Sequence, residues 1–420
     1  MLVFKFGGAS IETVERAKRL GDILSLYPDQ KIMLIVSAKG KTTNALEKIV
    51  FARQEGNLEE SLKLVQELKQ DHESYARELL QQSDTHLEQT LDQFFTEIEW
   101  TLSEQDGKDK NYLYDQIVCI GELLSTSIIH AYLKTKSSIT WLDARSIIKT
   151  GEEYREAQVH WNQTQEQVNR TVKPAFVDNQ VVITQGFIGS SADNNSTTLG
   201  REGSDYTAAI FANMLDAEYV AIWKDVPSLL NADPKIFPNT TAIPEITFHE
   251  VIEMAFYGAQ VIHPKTIKPL HNKNIPLYVK CFLDPSLPGT KIHNTDQTIQ
   301  YPPIMVLKQH QILLDVRTRD YSFITEDNLS KIYRLFHQHR VKINLIQNAA
   351  ISFIACIDPV FDKLEALLSD LEQEYLVKRN EDLFLFTVRH YTQEVLREEL
   401  KNRTVLLTQK TRQTIQIIAK

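Results

Sequence analysis

The stretch "LVFKFGGASIETVERAKRLGDILSL" (residues 2–26) decides the reading of the fold. An apolar run ends in Gly7-Gly8, after which Ile11, Val14, Ala17, Leu20, Ile23 and Leu24 recur at helical spacing, with Ser10 placed to cap the helix. A strand running through glycines into a helix is the opening unit of an α/β protein. A strand needs neither Lys5 nor the glycine pair for its own stability. At a strand's carboxyl end, however, glycines let the backbone approach an anion, amide N–H groups form a nest for it, and a lysine adds a compact positive charge.

Outward from this unit the pattern repeats. "KIMLIVSA" (31–38) is continuously apolar, as a strand of a parallel sheet covered on both faces must be. Residues 45–105 are amphipathic, rich in Glu, Gln, Leu and Lys, and almost free of Gly and Pro, which predicts helices. Strand signals return at "SSITWLDA" (137–144), "QVVITQGFIG" (180–189), "EYVAIWKDV" (218–226) and "IPLYVKCF" (275–282), with helical stretches between them. The expected architecture is a mostly parallel central sheet with ligands at the carboxyl ends of its strands.

Prolines, a glycine and polar residues cluster between 284 and 303, which reads as a linker. A weak internal repeat follows it. "ILLDVR" (312–317), a helix and the hairpin "KINLIQNAAISFIACI" (342–357) form one copy, continued by "FDKLEALLSDLEQEY" and "LVKRN" into βαββαβ. "LFLFTVR" (383–389), a helix and "RTVLLTQKTRQTIQIIA" (403–419) form a second copy that stops after its hairpin. The segments are therefore 1–300, 304–380 and a shortened 381–420, and the missing elements of the short unit are either absent or supplied by another segment or chain.

Bulk properties narrow the function. A chain of 420 residues has ample core for two or three domains. A net charge of -9 disfavours a nucleic acid or an anionic membrane as partner and leaves small molecules. Cys119, Cys281 and Cys356 are widely spaced, without CxxC, and read as core thiols of a reducing compartment. The chain shows no signal-peptide pattern and no apolar run of about 18 residues, so a cytoplasmic protein is expected.

Chemistry is expected at four stretches that follow strands: "KFGGAS" (5–10), "SAKGKTTN" (37–44), "QGFIG" (185–189) with "LGREGSDYTA" (199–208), and "WKDVPSLLNADPK" (223–235). "GKTT" is not a P-loop, because Ile35 stands where GxxxxGK[ST] requires its first glycine.

These stretches, with Gly121-Glu122 and "YGAQVIHPKT" (257–266), occur in the order found in the aspartate kinases, which the chain resembles over nearly its whole length. The units after residue 304 resemble the paired ACT domains of those enzymes. The resemblance implies the amino-acid kinase fold, a three-layer αβα arrangement, followed by tandem ACT units. It implies transfer of the ATP γ-phosphoryl group to the β-carboxylate of L-aspartate, with Mg²⁺ carried by the ATP and not bound directly by the protein. That carboxylate, with a pKa of about 3.9, is already ionised and needs no general base. The remaining task is to bring an anion to a polyanion, by positioning and placed cations.

Roles follow from the resemblance. Lys5 would neutralise the transferring group, Asp205 would orient the cations, and Gly7, Gly8 and Ser10 would line the phosphate loop. Arg201 would clamp the substrate α-carboxylate, Glu122 would receive its ammonium, and Ser37, Thr43 and Ser204 would hydrogen-bond it. Lys224 and Asp225 would lie near the ribose or adenine, and Asp233 and Lys235 near the phosphates. Gln260 stands where many members have a nucleotide-contacting lysine, for which Lys265 is a substitute to consider.

Two further departures are Ala9, for a usual threonine, and Glu202, for a common glycine, which adds a carboxylate beside the clamp. Without the resemblance, Glu122 reads as a helix N-terminal acid, and Arg201 and Asp205 as surface ion-pair partners. In the ACT-like region Asp320, Ser322, Asn344 and Gln347 match positions for a lysine or threonine effector, and Tyr321, for a frequent glycine, would narrow that pocket. A homodimer or dimer of dimers is the expected assembly. Two other readings stay open: a non-catalytic sensor of nucleotide and amino acid, and a kinase for another amino acid.

Overall fold

The computed structural model describes residues 1–104, 109–259 and 261–420. The chain forms two compact units: Met1–Leu229 with Pro244–Ile252 and Val261–Ile299, and Leu230–Ile243 with Glu253–Gln260 and Gln300–Lys420.

The first unit is built on an eight-stranded sheet. Its strands are β1 (Leu2–Phe6), β2 (Ile32–Val36), β3 (Ile139–Trp141) and β4 (Val181–Gln185), then, after the small ribbon of β5 (Ile188–Ser190) and β6 (Ser196–Thr198), β7 (Tyr219–Lys224). A two-residue pairing of β8 (Leu229–Leu230) with β9 (Ala242–Ile243) precedes the last three strands, β10 (Glu245–Thr247), β11 (Leu277–Cys281) and β12 (Thr290–His293). The sheet order is β10-β12-β11-β7-β1-β2-β4-β3. Every pair is parallel except β11 with β12.

Register explains how distant sequence meets. Phe6 lies opposite both Val36 and Trp223, and Val36 lies opposite Gln185. Strands β1, β2, β4 and β7 therefore end level, and the loops after them open along one edge. Strands β2 and β4 are buried at every position, which accounts for their mostly apolar composition; the buried Gln185 at the end of β4 is satisfied by the Ala144 N–H and the Thr126 hydroxyl. The Phe6 ring stacks on Trp223 at 5.7 Å and fixes β1 to β7 beneath the loops.

Helix α1 (Val14–Ser25) follows β1, but its cap is Thr13, whose hydroxyl accepts from the Arg16 N–H. Ser10 instead lies in a short 3₁₀ turn, Gly8–Ile11. The polar segment is helical as expected: α2 (Thr42–Gln54), α3 (Leu58–Leu80) and α4 (Thr85–Ser103). Helices α5 (Lys110–Val118) and α6 (Ile120–Leu133) follow; together they are long and apolar enough to cross a membrane, contrary to the expectation that no such run exists. Their most apolar window is 89% buried inside the protein, so this is a core element. All three cysteines are buried and unpaired. The presumed linker also differs from expectation, since its centre, Thr290–His293, is β12 of the main sheet. Proline and glycine flank that strand, and composition alone hides it.

The second unit carries a six-stranded sheet in the order β14-β15-β13-β16-β18-β17. Its strands are β13 (Ile304–Thr318), β14 (Ile343–Asn348), β15 (Ser352–Ile357), β16 (Tyr375–Arg389), β17 (Val405–Lys410) and β18 (Thr414–Ala419). Both β13 and β16 are 15 residues long and antiparallel to each other along their length. "LVKRN" and "LFLFTVR" are thus one strand, and "ILLDVR" extends back to Ile304.

The late half of β13 pairs with β15, and the late half of β16 with β18. The early half of β13, Ile304–Lys308, lies against 385–389 and completes the short second unit from within the chain. Residues 230–243 add Ala232 and Phe237 to the core under Phe386 and Val388. Arg389 pairs with Glu253 at 2.8 Å, so a second outlying segment is tied to the same sheet.

Candidate active site

The loops at the carboxyl edge of the first unit's sheet enclose a cavity of about 730 Å³. Of the residues singled out in the sequence, Lys5, Gly8, Ser37, Thr43 and Glu122 line it, as do Arg201, Ser204, Asp205 and Lys224. They come from five separate segments.

Lys5 projects from β1 and pairs with Asp205 Oδ1 at 2.7 Å, both side chains being largely buried. Asp205 occupies the first turn of the helix Gly203–Met214, where the helix dipole favours a carboxylate. Burial pushes its pKa up, but the charges of Lys5 and Lys224 outweigh burial and hold it below the usual carboxylate range. Asp205 is therefore ionised at neutral pH. Lys224 Nζ donates to the Val261 carbonyl at 3.0 Å.

Gly8 shows why the first loop needs a residue without a side chain. A Cβ there would stand 2.4 Å from the Ala38 carbonyl oxygen. The Gly40 N–H donates to the Gly8 carbonyl at 3.0 Å, so the loops after β1 and β2 are bonded face to face. Gly8→Ala is expected to cost about 2 kcal/mol by forcing these loops apart; thermal melting and turnover should both fall, and an unchanged Tm would refute the close contact.

The second loop is braced from behind. The Lys39 N–H donates to Ser125 Oγ at 2.7 Å, and Lys39 Nζ pairs with Asp71 at 2.7 Å. His72 is fully buried, with Nδ1 2.9 Å from the Leu68 carbonyl and Nε2 3.3 Å from Thr42 Oγ1. A carbonyl can only accept, so Nδ1 carries the proton and Nε2 accepts from the Thr42 hydroxyl. Burial lowers the His72 pKa to about 4 and keeps the ring neutral. The start of α2, which presents Thr43 to the cavity, is thereby anchored.

Glu122, in the first turn of α6, is buried and faces the cavity. Burial raises its pKa to about 8, against the opposing effects of a hydrogen bond from the Ala38 backbone and the charge of Lys5. Among the described residues its Oε2 has no hydrogen-bond partner. A buried carboxyl group held in this way is an acceptor for a cation that enters the cavity.

Glu202 adopts a left-handed backbone, φ +53, which accounts for a glycine being common at this position. Its Oε2 accepts from the His263 N–H at 2.8 Å, so the added carboxylate is spent on the neighbouring loop. Lys265 does not take over a role in the cavity: its Nζ donates to the Leu199 carbonyl at 2.8 Å and lies over the Tyr206 ring.

Other expected residues stand elsewhere. Ser10 is buried beneath the loop, its hydroxyl donating to the Trp223 carbonyl at 3.3 Å, and so it braces β1 to β7 without lining the cavity. Gly7 sits against the Lys5 side chain, and Asp225 is exposed beyond β7. Asp233 and Lys235 belong to the second unit, where Asp233 Oδ1 accepts from the Lys235 N–H at 2.9 Å within a turn. Gln260 lies outside the described residues.

Of the presumed effector residues, Asp320 is engaged locally with Ser322, and Gln347 is exposed. Asn344 accepts from Lys308 and donates to Gln311 and Asp358, each at 2.9 Å. Tyr321 is 81% exposed with φ +60, a conformation suited to glycine. Phe187, from the expected "QGFIG" stretch, lines the cavity, as do Tyr114, Arg155, Glu156 and Thr198, which were not anticipated. No local motif marks them.

The amino acid kinase family model matches residues 1–281. Aspartokinase 2, chloroplastic, of Arabidopsis thaliana is 30% identical over 403 residues, covering 90% of this chain and 71% of the relative. The lysine-sensitive aspartokinase 3 of Escherichia coli is 29% identical over 363 residues, covering 85% and 78%. The crystal structure of E. coli aspartokinase III in complex with lysine and aspartate (T-state) matches with a TM-score of 0.82 at 26% identity, covering 100% of this chain and 95% of that one. The same enzyme in complex with aspartate and ADP (R-state) also gives 0.82 at 26% identity, covering 100% and 96%. The chain therefore belongs to the amino acid kinase family and, within it, to the aspartokinases.

Proposed function

We propose that the cavity at the carboxyl edge of the sheet binds L-aspartate and ATP together and transfers the γ-phosphoryl group, giving 4-phospho-L-aspartate and ADP. The observation that carries this reading is the gathering in one cavity of the Lys5–Asp205 pair, the buried Glu122 whose Oε2 has no partner among the described residues, and the Arg201 guanidinium. A β-carboxylate oxygen forms the new bond to phosphorus as the bond to the β,γ-bridging oxygen breaks, and no proton need move. Lys5 offsets charge on the transferring oxygens, while Asp205 holds its ammonium in place. Arg201 receives the α-carboxylate, and Glu122 the α-ammonium. Ser37, Thr43 and Ser204 supply neutral hydrogen bonds to the amino acid, and Lys224 lies on the nucleotide side. The phosphate cradle at Gly8 and the ionised carboxylate near it fit a nucleotide that brings its own Mg²⁺, which when bound screens phosphate charge.

Residues 1–300 form the catalytic domain in this reading, and 304–380 with 381–420 the regulatory units. Lysine is the first effector to test, since the similar E. coli enzyme forms a complex with it. A homodimer paired through the ACT-like units and a cytoplasmic site of action fit the acidic chain. The test is ATP- and Mg²⁺-dependent conversion of aspartate, trapped as the hydroxamate, with glutamate and acetylglutamate as alternative acceptors. Absence of turnover on aspartate would leave the sensor reading standing; preferred turnover of another acceptor would reassign the substrate.

Glu122 also predicts a pH dependence. Its carboxyl is protonated at neutral pH in the free cavity because its pKa is raised to about 8. An arriving ammonium favours the ionised form, so aspartate binding releases a proton below that pH, and the aspartate KM falls as pH rises from about 6 to about 8. Calorimetry in buffers of different ionisation enthalpy measures the release. An enthalpy independent of buffer would exclude it.

A further inference from the structure

The cavity contains a second arginine to which the roles above give no work. Arg155 lies in the loop between Thr150 and Val159, and its backbone is left-handed, φ +74. Such a conformation costs a side-chain-bearing residue roughly 1 kcal/mol or more and persists where surroundings over-determine it. Here three contacts do so. The Arg155 N–H donates to Asp115 Oδ2 at 2.9 Å. Its guanidinium lies over the Tyr114 ring, 4.0 Å from the centroid. The Tyr114 hydroxyl in turn donates to Glu47 Oε1 at 2.7 Å.

Asp115 is fully buried, and its carboxylate also accepts from the N–H and the hydroxyl of Thr198, each at 2.8 Å. One buried group on α5 therefore holds two cavity-lining residues from separate segments, a loop and the end of β6. Stacking occupies the face of a guanidinium and leaves its in-plane N–H donors available. Among the described residues no carboxylate pairs with the guanidinium of Arg155 or of Arg201, whereas Lys5 is paired with Asp205 and Lys224 donates to the Val261 carbonyl. Among the described cavity-lining residues, the cations with no carboxylate ion pair and no hydrogen bond to a backbone carbonyl are thus two guanidiniums, suited to an amino acid with two carboxylates.

We propose that Arg155 is a specificity-determining residue that takes a carboxylate of the acceptor amino acid alongside Arg201, selecting an amino dicarboxylate over a neutral amino acid. The proposal rests on the aspartate kinase reading. Asp115 is then a positioning residue that sets the Arg155 backbone.

Steady-state kinetics of the full chain with Arg155→Gly and Arg155→Lys test it. Glycine adopts the left-handed conformation without strain, so Arg155→Gly should melt no lower than the parent. Its aspartate KM should rise about tenfold, with kcat and the ATP KM within about threefold of the parent. Arg155→Lys should recover only part of the loss, because an ammonium lacks the planar fork. An aspartate KM within about twofold of the parent in both variants, or a rise confined to the ATP KM, would overturn the assignment. An inactive parent would instead overturn the aspartate reading and this inference with it.

Discussion

Replacing Lys5 with alanine should lower kcat by about 10² to 10³-fold, the effect of removing one pre-placed cation from a dry site where charge develops. The aspartate KM should move far less, because Lys5 is assigned to the transferring phosphoryl group and Arg201 and Glu122 to the amino acid. The loss has a second component. Lys5 and Asp205 pair at 2.7 Å with side chains 12% and 5% exposed, so removing the amine leaves a buried, uncompensated carboxylate. Breaking such a pair from one side destabilises by about 3–5 kcal/mol. The double variant Lys5→Ala/Asp205→Asn separates the two effects: its melting temperature should recover toward that of the parent while turnover stays lost. Recovery of turnover along with stability would mean that Lys5 serves the fold alone.

Arg201→Ala should raise the aspartate KM by roughly 10²-fold, since loss of a charge-assisted, two-pronged contact costs about 3 kcal/mol. Because the α-carboxylate is remote from the reacting oxygens, the contact is equally strong before and during transfer, and kcat should change little. Arg201 makes no ion pair among the described residues, and its removal strands no buried partner. Stability should therefore be unaltered, in contrast to the Lys5 variant. An unchanged KM would refute the clamp.

The sequence was legible wherever function depended on a contiguous loop. "KFGGAS" and "SAKGKTTN" deliver residues to the cavity because each follows a strand that ends at the same sheet edge, and "LGREGSDYTA" does so between the ribbon strand β6 and the helix Gly203–Met214. Arg155 and Tyr114 were illegible because their meeting depends on packing between α5 and a distant loop; neither lies in a glycine-rich stretch. Ser10 was misassigned because a serine before an apolar period has the signature of a cap, while a 3₁₀ turn moved the helix start to Thr13. Asp233 and Lys235, which the resemblance places near the phosphates, are separated from Lys224 by the point where the chain passes from one compact unit to the other.

The long strands of the second unit were hidden for a related reason. His310 and Asp382 interrupt β13 and β16 with φ +54 and +55, and they face each other across the bulge at 2.9 Å. Polar residues with turn-like backbones, such as those of "KRNEDL", look like the end of a strand when only one strand is visible.

Those two shared strands have a consequence for anyone who would dissect the protein. Cutting after residue 380 does not excise a module; it severs β16, leaves residues 384–389 with β18 alone, and deprives Ile304–Lys308, some eighty positions upstream, of the strand they lie against. Residues 304–420 are interlaced like two hands sharing fingers, and a chimera that exchanges this region between relatives must carry the whole span or none of it.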